Sequence, residues 1–227
     1  PSNRATLGGM VNTDACGKGS RVYGRTSDHV LALSCVLSNG EVLESVPLDA
    51  EQLSEYKRKS GIAGEIIKVV DQVVSEKAVL IEDVFPKMSR FMTGYNLAKV
   101  YDNSENKFNL NYLLSGSEGT LAVVSEAKLR LTALPKHKIL LVVKYEVFDD
   151  ALKDAEILVK CDPVAIETID EKILSLAKED EIYLKIKIFN SKNYNNKIKL
   201  MAVTTSITFI SLSDETSPSK LTFTMPP

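Results

Sequence analysis

The hydrophobic pattern of the chain changes period several times, and each change marks an element. Residues 29–37 are apolar on both faces, which predicts a strand buried between two layers. Asn39-Gly40 and the run 41–46 follow. Asn-Gly between two apolar runs predicts a type I′ hairpin, because both turn positions need positive φ. From residue 62 to 74 the apolar positions are Ile62, Ile66, Val69, Val70, Val73 and Val74. That stripe predicts a helix, and its β-branched content makes the helix depend on packing rather than propensity. Pro86 ends or interrupts the next segment. Residues 102–109 read as a surface loop, 110–114 as a strand and 115–119 as a Gly/Ser turn. Residues 121–134 start apolar and then alternate, with Ala127, Leu129, Leu131 and Ala133 on one face and Lys128, Arg130 and Thr132 on the other. A strand with one wet face fits that alternation.

A new unit starts near His137, with a strand over 139–147 and a helix over 150–160 capped by Asp149. Ala151, Leu152, Ala155, Leu158 and Val159 would form its inner face. Pro163 breaks the chain before a second strand, 164–169, so the pattern is the opening of an α+β unit. Beyond about residue 183 the composition turns to Asn and Lys, then to Ser, Thr and Pro, without a clear period. That tail is expected to be irregular and to pack poorly. At the other end, residues 1–28 are rich in Gly, Ser, Thr, Asn and Asp and read as a structured loop.

Composition narrows the class. The chain has 227 residues, 44% apolar and 26% charged, with a net charge of −2 and no Trp. These values describe an ordinary globular protein and give no basic field to attract nucleic acid. Cys16, Cys35 and Cys161 are widely and irregularly spaced, and His29 and His137 are the only histidines. The spacing disfavours a disulfide framework, an iron–sulfur site or a His-rich metal site, so no metal is expected. No apolar run reaches transmembrane length, and the expected compartment is the cytoplasm. The chain begins with Pro1 rather than Met, which reads as a piece of a longer product.

Two segments carry candidate chemistry. In LGGMVNTDACG, residues 7–17, paired glycines let backbone approach a ligand, and successive N–H groups can line an anion such as a pyrophosphate. A Gly-rich corner that holds nothing has the same spacing. In SGSEGTL, residues 115–121, two glycines flank an acid before a strand, which a tight turn alone would also explain. Neither segment matches the dinucleotide fingerprint or the P-loop.

Together the segments resemble a known family. ATLGGMVNTDACGKGSRVYGRTSDHVLALSCVLSNGEVL and LLSGSEGTLAVVSEAKLRLTALP resemble the two signatures of the FAD-binding domain shared by vanillyl-alcohol oxidase-type and p-cresol methylhydroxylase-type (PCMH-type) flavoproteins, the FAD-linked oxidase family. Between them, SRFMTGYNLAKV looks like the family's TGY-[DN]-L stretch. The likeness covers roughly residues 1–170. The variant Asn12-Thr13-Asp14-Ala15 most resembles large bacterial flavoproteins that join this domain to an iron–sulfur domain, the best known of which act on D-2-hydroxyglutarate; D-lactate dehydrogenases are related.

The resemblance implies an α+β chain. Residues 1–136 would be the second subdomain of a PCMH-type FAD-binding domain, mainly antiparallel sheet with flanking helices. Residues 137–183 would open an α+β substrate cap, and 184–227 would be an atypical tail. It implies non-covalent FAD, a small 2-hydroxy acid as substrate and an electron acceptor, with any iron–sulfur cluster confined to the full-length relatives. Gly8 and Gly9 would meet the pyrophosphate and ribityl chain, Asn12, Thr13 and Asp14 would continue that wall, and Gly17 would allow the turn after it. Tyr23 and Gly24 match the family's Tyr-Gly. Glu118, Gly119 and Thr120 would pack backbone on the cofactor, with Val123 and Val124 beside the adenine. Ala122 stands where the family usually has Gly. Arg90 and Tyr95 would face substrate or serve packing. His29 reads as a hydrogen-bonded structural histidine and Cys16 as a packing residue. No catalytic base is identified. A first subdomain with its own phosphate loop is expected before Pro1, so the chain alone should bind FAD weakly or not at all, turn over no substrate and associate through its uncovered surface. The alternative is a catalytically silent fragment with a structural or interaction role.

Overall fold

The computed structural model describes residues 4–88, 94–102, 106–133, 135, 137–179 and 206–214. The chain divides into two compact units, Pro1–Thr132 and Ala133–Pro227. Each combines helices with antiparallel sheet.

Unit one opens on helical turns where a structured loop was expected: α1 (Leu7–Asn12), α2 (Ser20–Tyr23) and a 3-10 turn at Ser27–His29. Side-chain capping explains the difference. Thr6 Oγ1 accepts from Gly9 N at 3.2 Å, while Asn12 Nδ2 and Thr13 Oγ1 donate back to the carbonyls of Gly8 and Gly9 at 2.9 and 2.8 Å. Residues that read as loop formers here satisfy the ends of a short helix.

β1 (Val30–Val36) is the centre of a three-stranded antiparallel sheet, between β2 (Val42–Ser45) and β5 (Val123–Leu129). Leu33 and Cys35 sit on its fully buried side. Burial, with Glu44 adding to it, pushes the Cys35 thiol up to about 11, so it remains a neutral packing group. The hairpin differs from the expected type I′. Of its loop residues only Gly40 has positive φ, +86°, and Leu37 N donates to Glu41 O at 2.9 Å. The loop is three residues closed by a left-handed glycine. Asn39 contributes its side chain instead, accepting from Glu41 N at 3.0 Å.

α3 (Ala50–Arg58) starts with a capping box between Asp49 and Gln52. α4 (Ile62–Glu76) buries Gly64, Ile67, Asp71 and Val74; Ile62, Ile66 and Val70 of the expected stripe pack partly on the core, whereas Val69 and Val73 are exposed. A Cβ on Gly64 would lie 2.2 Å from the Lys59 carbonyl oxygen, so the glycine is needed where α3 ends. Asp71 is tolerated on the inner face because Lys57 pairs with its carboxylate and the Tyr101 hydroxyl donates to it. α5 (Ala78–Val84) ends before Pro86. β3 (Tyr101–Asp102) and β4 (Lys107–Phe108) form a short hairpin, and the rings of Tyr101 and Phe108 meet edge to face at 5.6 Å.

Residues 110–114 are not the expected strand. Asn111–Leu114 is a helical turn, α6, in which Asn109 Oδ1 accepts from Asn111 N at 3.1 Å. A five-residue apolar run does not define its own period, and the asparagine pair turns the chain. Val11, Leu33, Leu43, Val100, Phe108 and Leu114 form the centre of one core.

Unit two consists of β6 (His137–Tyr145), α7 (Phe148–Leu158), β7 (Ala165–Asp170), α8 (Glu171–Glu179) and β8 (Ser206–Asp214), with sheet order β6-β8-β7. α7 starts two residues earlier than expected. Asp149 lies in its first turn rather than at the cap, where its charge still favours the helix dipole. Of the expected inner face, Ala151 is buried while Leu152 and Val159 are exposed. Tyr145 donates to the Asp154 carboxylate; burial and that bond push its phenol well above the usual range. β8 departs from the irregular tail expected there: Ser206–Asp214 pairs antiparallel with both β6 and β7. Its Ile, Phe and Thr content suits a strand. No helix among the described residues is long and apolar enough to cross a membrane.

Candidate functional site

A cavity of about 370 Å³ opens in unit one where three separate segments meet. Thr13 and Asp14 come from the end of α1, and Arg25 from the turn after α2. Gly94, Tyr95 and Asn96 come from the central segment, and Ser115–Ser117 with Glu118 and Thr120 from the loop after α6. All three segments singled out in the sequence therefore contribute to one concavity.

Backbone bonds hold the first and last segments together. Gly116 N donates to Val11 O and Glu118 N to Asn12 O, both at 2.9 Å. Gly116 has φ +80°, and a Cβ there would stand 3.1 Å from Asp14 Cβ, so the close approach requires glycine. Two non-glycine residues on the cavity wall are also left-handed, Asp14 at φ +43° and Glu118 at +52°. Such conformations cost energy and collect at ligand sites.

The electrostatics follow from one buried pair. Asp14 is 3% exposed; its Oδ2 meets Arg25 Nη2 at 2.8 Å and its Oδ1 accepts from Ser27 N at 2.8 Å. The Arg25 backbone N–H donates to Asp28 Oδ2 at 2.8 Å. Opposite them, Tyr95 OH and Thr120 Oγ1 are 2.8 Å apart, and Thr120 Oγ1 donates to Ser117 O at 2.6 Å. Asn96 Oδ1 and Ser115 Oγ are buried on the cavity wall and have no hydrogen-bond partner among the described residues. An orphaned buried polar atom costs about 1–3 kcal/mol, so such a pair on a cavity wall calls for a ligand or water.

The remaining candidates are placed around the cavity rather than on it. Gly8 and Gly9 lie in α1, exposed, and Asn12 supports the loop through its carbonyl. Gly17 is exposed. Tyr23 ends α2, and its carbonyl lies 2.6 Å from His29 Nε2. Gly24 caps α2 at φ +76°, against the Asp28 side chain. Gly119, at φ +76°, has open space where a Cβ would go. On β5, Val123 is exposed and Val124 packs partly on the core. Ala122 is buried. Cys16 is a half-buried free thiol. Arg90 lies outside the described residues. No group of His, Cys, Asp and Glu that could hold a metal occurs among the described residues. Sequence reasoning missed Arg25, Asn96 and Ser115. The buried Asp14 was the available signal for Arg25, since a buried carboxylate needs a partner, but its burial was not visible in the sequence.

Residues 2–45 match the FAD binding domain family. The chain is 47% identical over 182 residues to D-2-hydroxyglutarate dehydrogenase of Escherichia coli, covering 80% of the chain and 18% of that protein. Identity to the enzyme of the same name from Pseudomonas putida is also 47% over 182 residues, with the same coverage. D-lactate dehydrogenase of Archaeoglobus fulgidus is 24% identical over 176 residues, 77% of this chain and 28% of that one. The chain thus spans about a fifth of the length of the D-2-hydroxyglutarate dehydrogenases it matches. The cofactor of the matched domain is FAD, and over most of its length this chain is similar to one segment of the D-2-hydroxyglutarate dehydrogenases.

Proposed function

We propose that the cavity in unit one is one wall of the FAD site of a flavin-dependent oxidoreductase that oxidises a 2-hydroxy acid of the D-2-hydroxyglutarate or D-lactate class. The observation that carries this reading is the convergence of Thr13 and Asp14, Tyr95, and Glu118 and Thr120 on one cavity from three distant segments. Unit one would be the second subdomain of the FAD-binding domain, and unit two the opening of the substrate cap.

The residues present fit a flavin nucleotide. Asn96 Oδ1 and Ser115 Oγ offer unpartnered polar atoms, and Gly116 keeps the wall open by having no side chain. Asn12, Gly17, Gly119, Val123 and Val124 would extend the contact along the same edge, Gly8 and Gly9 would approach it through exposed backbone, and Tyr23 and Gly24 would support it from behind. When bound, FAD supplies the acceptor for hydride from the carbon bearing the hydroxyl. The chain's own residues bind and orient it: the Asp14–Arg25 pair fixes one side, and the Tyr95–Thr120 hydroxyls fix the other. Tyr95, 43% exposed, can reach outward toward substrate.

A chimera tests the proposal. Residues 1–183 replace the matching segment of the Escherichia coli relative, and flavin content and turnover of D-2-hydroxyglutarate with an artificial acceptor are measured. Retained flavin with turnover is the expected result. A folded chimera devoid of flavin would overturn the proposal.

A further inference from the structure

Among the described residues the sheet of unit one has the order β2-β1-β5, so β5 is an edge. It runs seven residues, against four for β2 at the other edge. Glu126, Ala127 and Lys128 are all exposed, although Ala127 stands opposite the buried Leu33 in the register. Val123 and Leu131, at the two ends of the strand, are 66% and 91% exposed. Such an edge offers its outward N–H and C=O groups to another strand.

One bond tells which groups point outward. Arg130 N donates to the His29 carbonyl at 2.7 Å, so Arg130 faces β1. Direction alternates along an antiparallel strand, so Lys128 and Glu126 also face β1, while Leu129 and Ala127 face away. The register shift between Ser34 and Cys35 leaves Ser125 as a bulge, where the alternation stops. A two-fold pairing of β5 with itself must centre on an outward residue, so that outward groups meet. Centring on Leu129 sets Lys128 against Arg130 of the second copy, a like-charge pair. Centring on Ala127 sets Glu126 against Lys128 on both sides of the axis. These are non-hydrogen-bonded pairs, with Cα atoms about 4.5 Å apart. Within one strand the same two residues stand about 7 Å apart, so the second strand brings each charge a nearer partner.

We infer that β5 is a docking edge for a second copy of this chain, paired antiparallel about Ala127. The three-stranded sheets of the two copies then join into one continuous sheet. Each Ala127 exchanges N–H···O=C bonds with its counterpart, and two Glu126–Lys128 pairs flank them. The Val123 end of one copy meets the Leu131 end of the other, which covers exposed apolar surface. The same patch serves both copies, so the assembly closes at a dimer. Nothing in this edge depends on the flavin site.

The test uses the 227-residue chain. Sedimentation and site-resolved amide exchange by NMR are followed over a concentration series reaching about 1 mM, where even a weak dimer is populated. A monomer–dimer equilibrium is expected. The Ala127 amide should gain protection as the dimer fills, while the Arg130 amide is protected throughout by its bond to His29. Glu126→Lys sets lysine against lysine and should weaken the dimer about tenfold. Lys128→Glu should weaken it similarly, and the double exchange should restore it. Ala127→Pro removes the outward N–H, a change that edge strands tolerate, and should abolish the dimer. The charge variants lie on exposed positions and carry the test if the proline variant does not fold. A chain still monomeric at the top of the series would overturn the inference, as would a dimer that leaves Ala127 exchange unchanged. So would a dimer indifferent to Glu126→Lys, a double exchange no stronger than the single variants, or a dimer that persists in folded Ala127→Pro.

Discussion

Asp71 and Ser115 are both buried in unit one, 8% and 2% exposed, yet their hydrogen-bonding capacity is met in different ways. Asp71 lies on the inner face of α4, where Lys57 and Tyr101 close on its two carboxylate oxygens. Burial works to raise its pKa, but the bonds from Lys57 and Tyr101 outweigh it and hold the carboxyl below its ordinary value of 3.8. The same contact, added to burial, pushes the Tyr101 phenol up to about 12. Ser115, by contrast, sits on a cavity wall with its hydroxyl oxygen unpartnered, and Asn96 Oδ1 on the wall of the same cavity is in the same state. The contrast separates two uses of buried polarity. A cluster that satisfies itself stabilises the helix pair around it, and a cluster left open stores cost until a ligand meets it.

Removing the closed cluster should have the largest effect. Asp71→Ala leaves Lys57 and Tyr101 facing a gap and should destabilise unit one by about 2–3 kcal/mol, the value for a buried charged hydrogen-bonded pair discounted for the partly exposed lysine. Denaturant unfolding measures it; a loss below about 0.5 kcal/mol would mean that Asp71 is held by nothing that matters.

The pH dependence sharpens the same side of the comparison. The folded pKa of Asp71 lies below its unfolded value, so its contribution is fully present above about pH 4 and is lost as the pH falls through the folded value. The difference in stability between the native chain and Asp71→Asn should therefore be largest near neutrality and shrink in acid below the unfolded pKa. A difference that grows on acidification would contradict the assignment.

Gly116 tests the seam between the two cavity segments. Gly116→Ala forces a side chain into a left-handed conformation, at a cost of about 1–2 kcal/mol, and presses on Asp14 Cβ 3.1 Å away. Gly119→Ala carries the same conformational strain without a neighbour in reach. Thermal unfolding should rank Gly116→Ala as the more damaging, and the reverse order would break the seam argument.

The smallest stability effect belongs to the open cluster. Ser115→Ala deletes an unsatisfied hydroxyl and should leave stability unchanged or raise it by up to about 1 kcal/mol. A clear loss of stability in unfolding measurements would show that the hydroxyl is satisfied in the folded protein, and would erase the difference between the two clusters.

Much of this architecture was legible in the sequence because it is written in local chemistry. The strand at Val30–Val36, the helix at Ile62–Glu76 and the turn at Ser115–Gly119 follow from apolar runs, period and glycine placement, and the family likeness follows from motifs that lie in order along the chain. What tertiary structure alone decided is which faces and which atoms meet. In α4, Val69 and Val73 are exposed, while Gly64 lies against the Lys59 carbonyl and Asp71 meets Lys57 and Tyr101. Residues 110–114 became a helical turn, because an apolar run of five is compatible with either period and the surrounding packing selects one. Asn96 and Ser115 emerged as site residues only once burial was known, since a polar side chain has no cost until folding removes its water. Periodicity belongs to the chain, whereas desolvation and partner choice belong to the folded unit. That is why the sequence pointed to the cavity's segments and the structure alone identified its unpaired atoms.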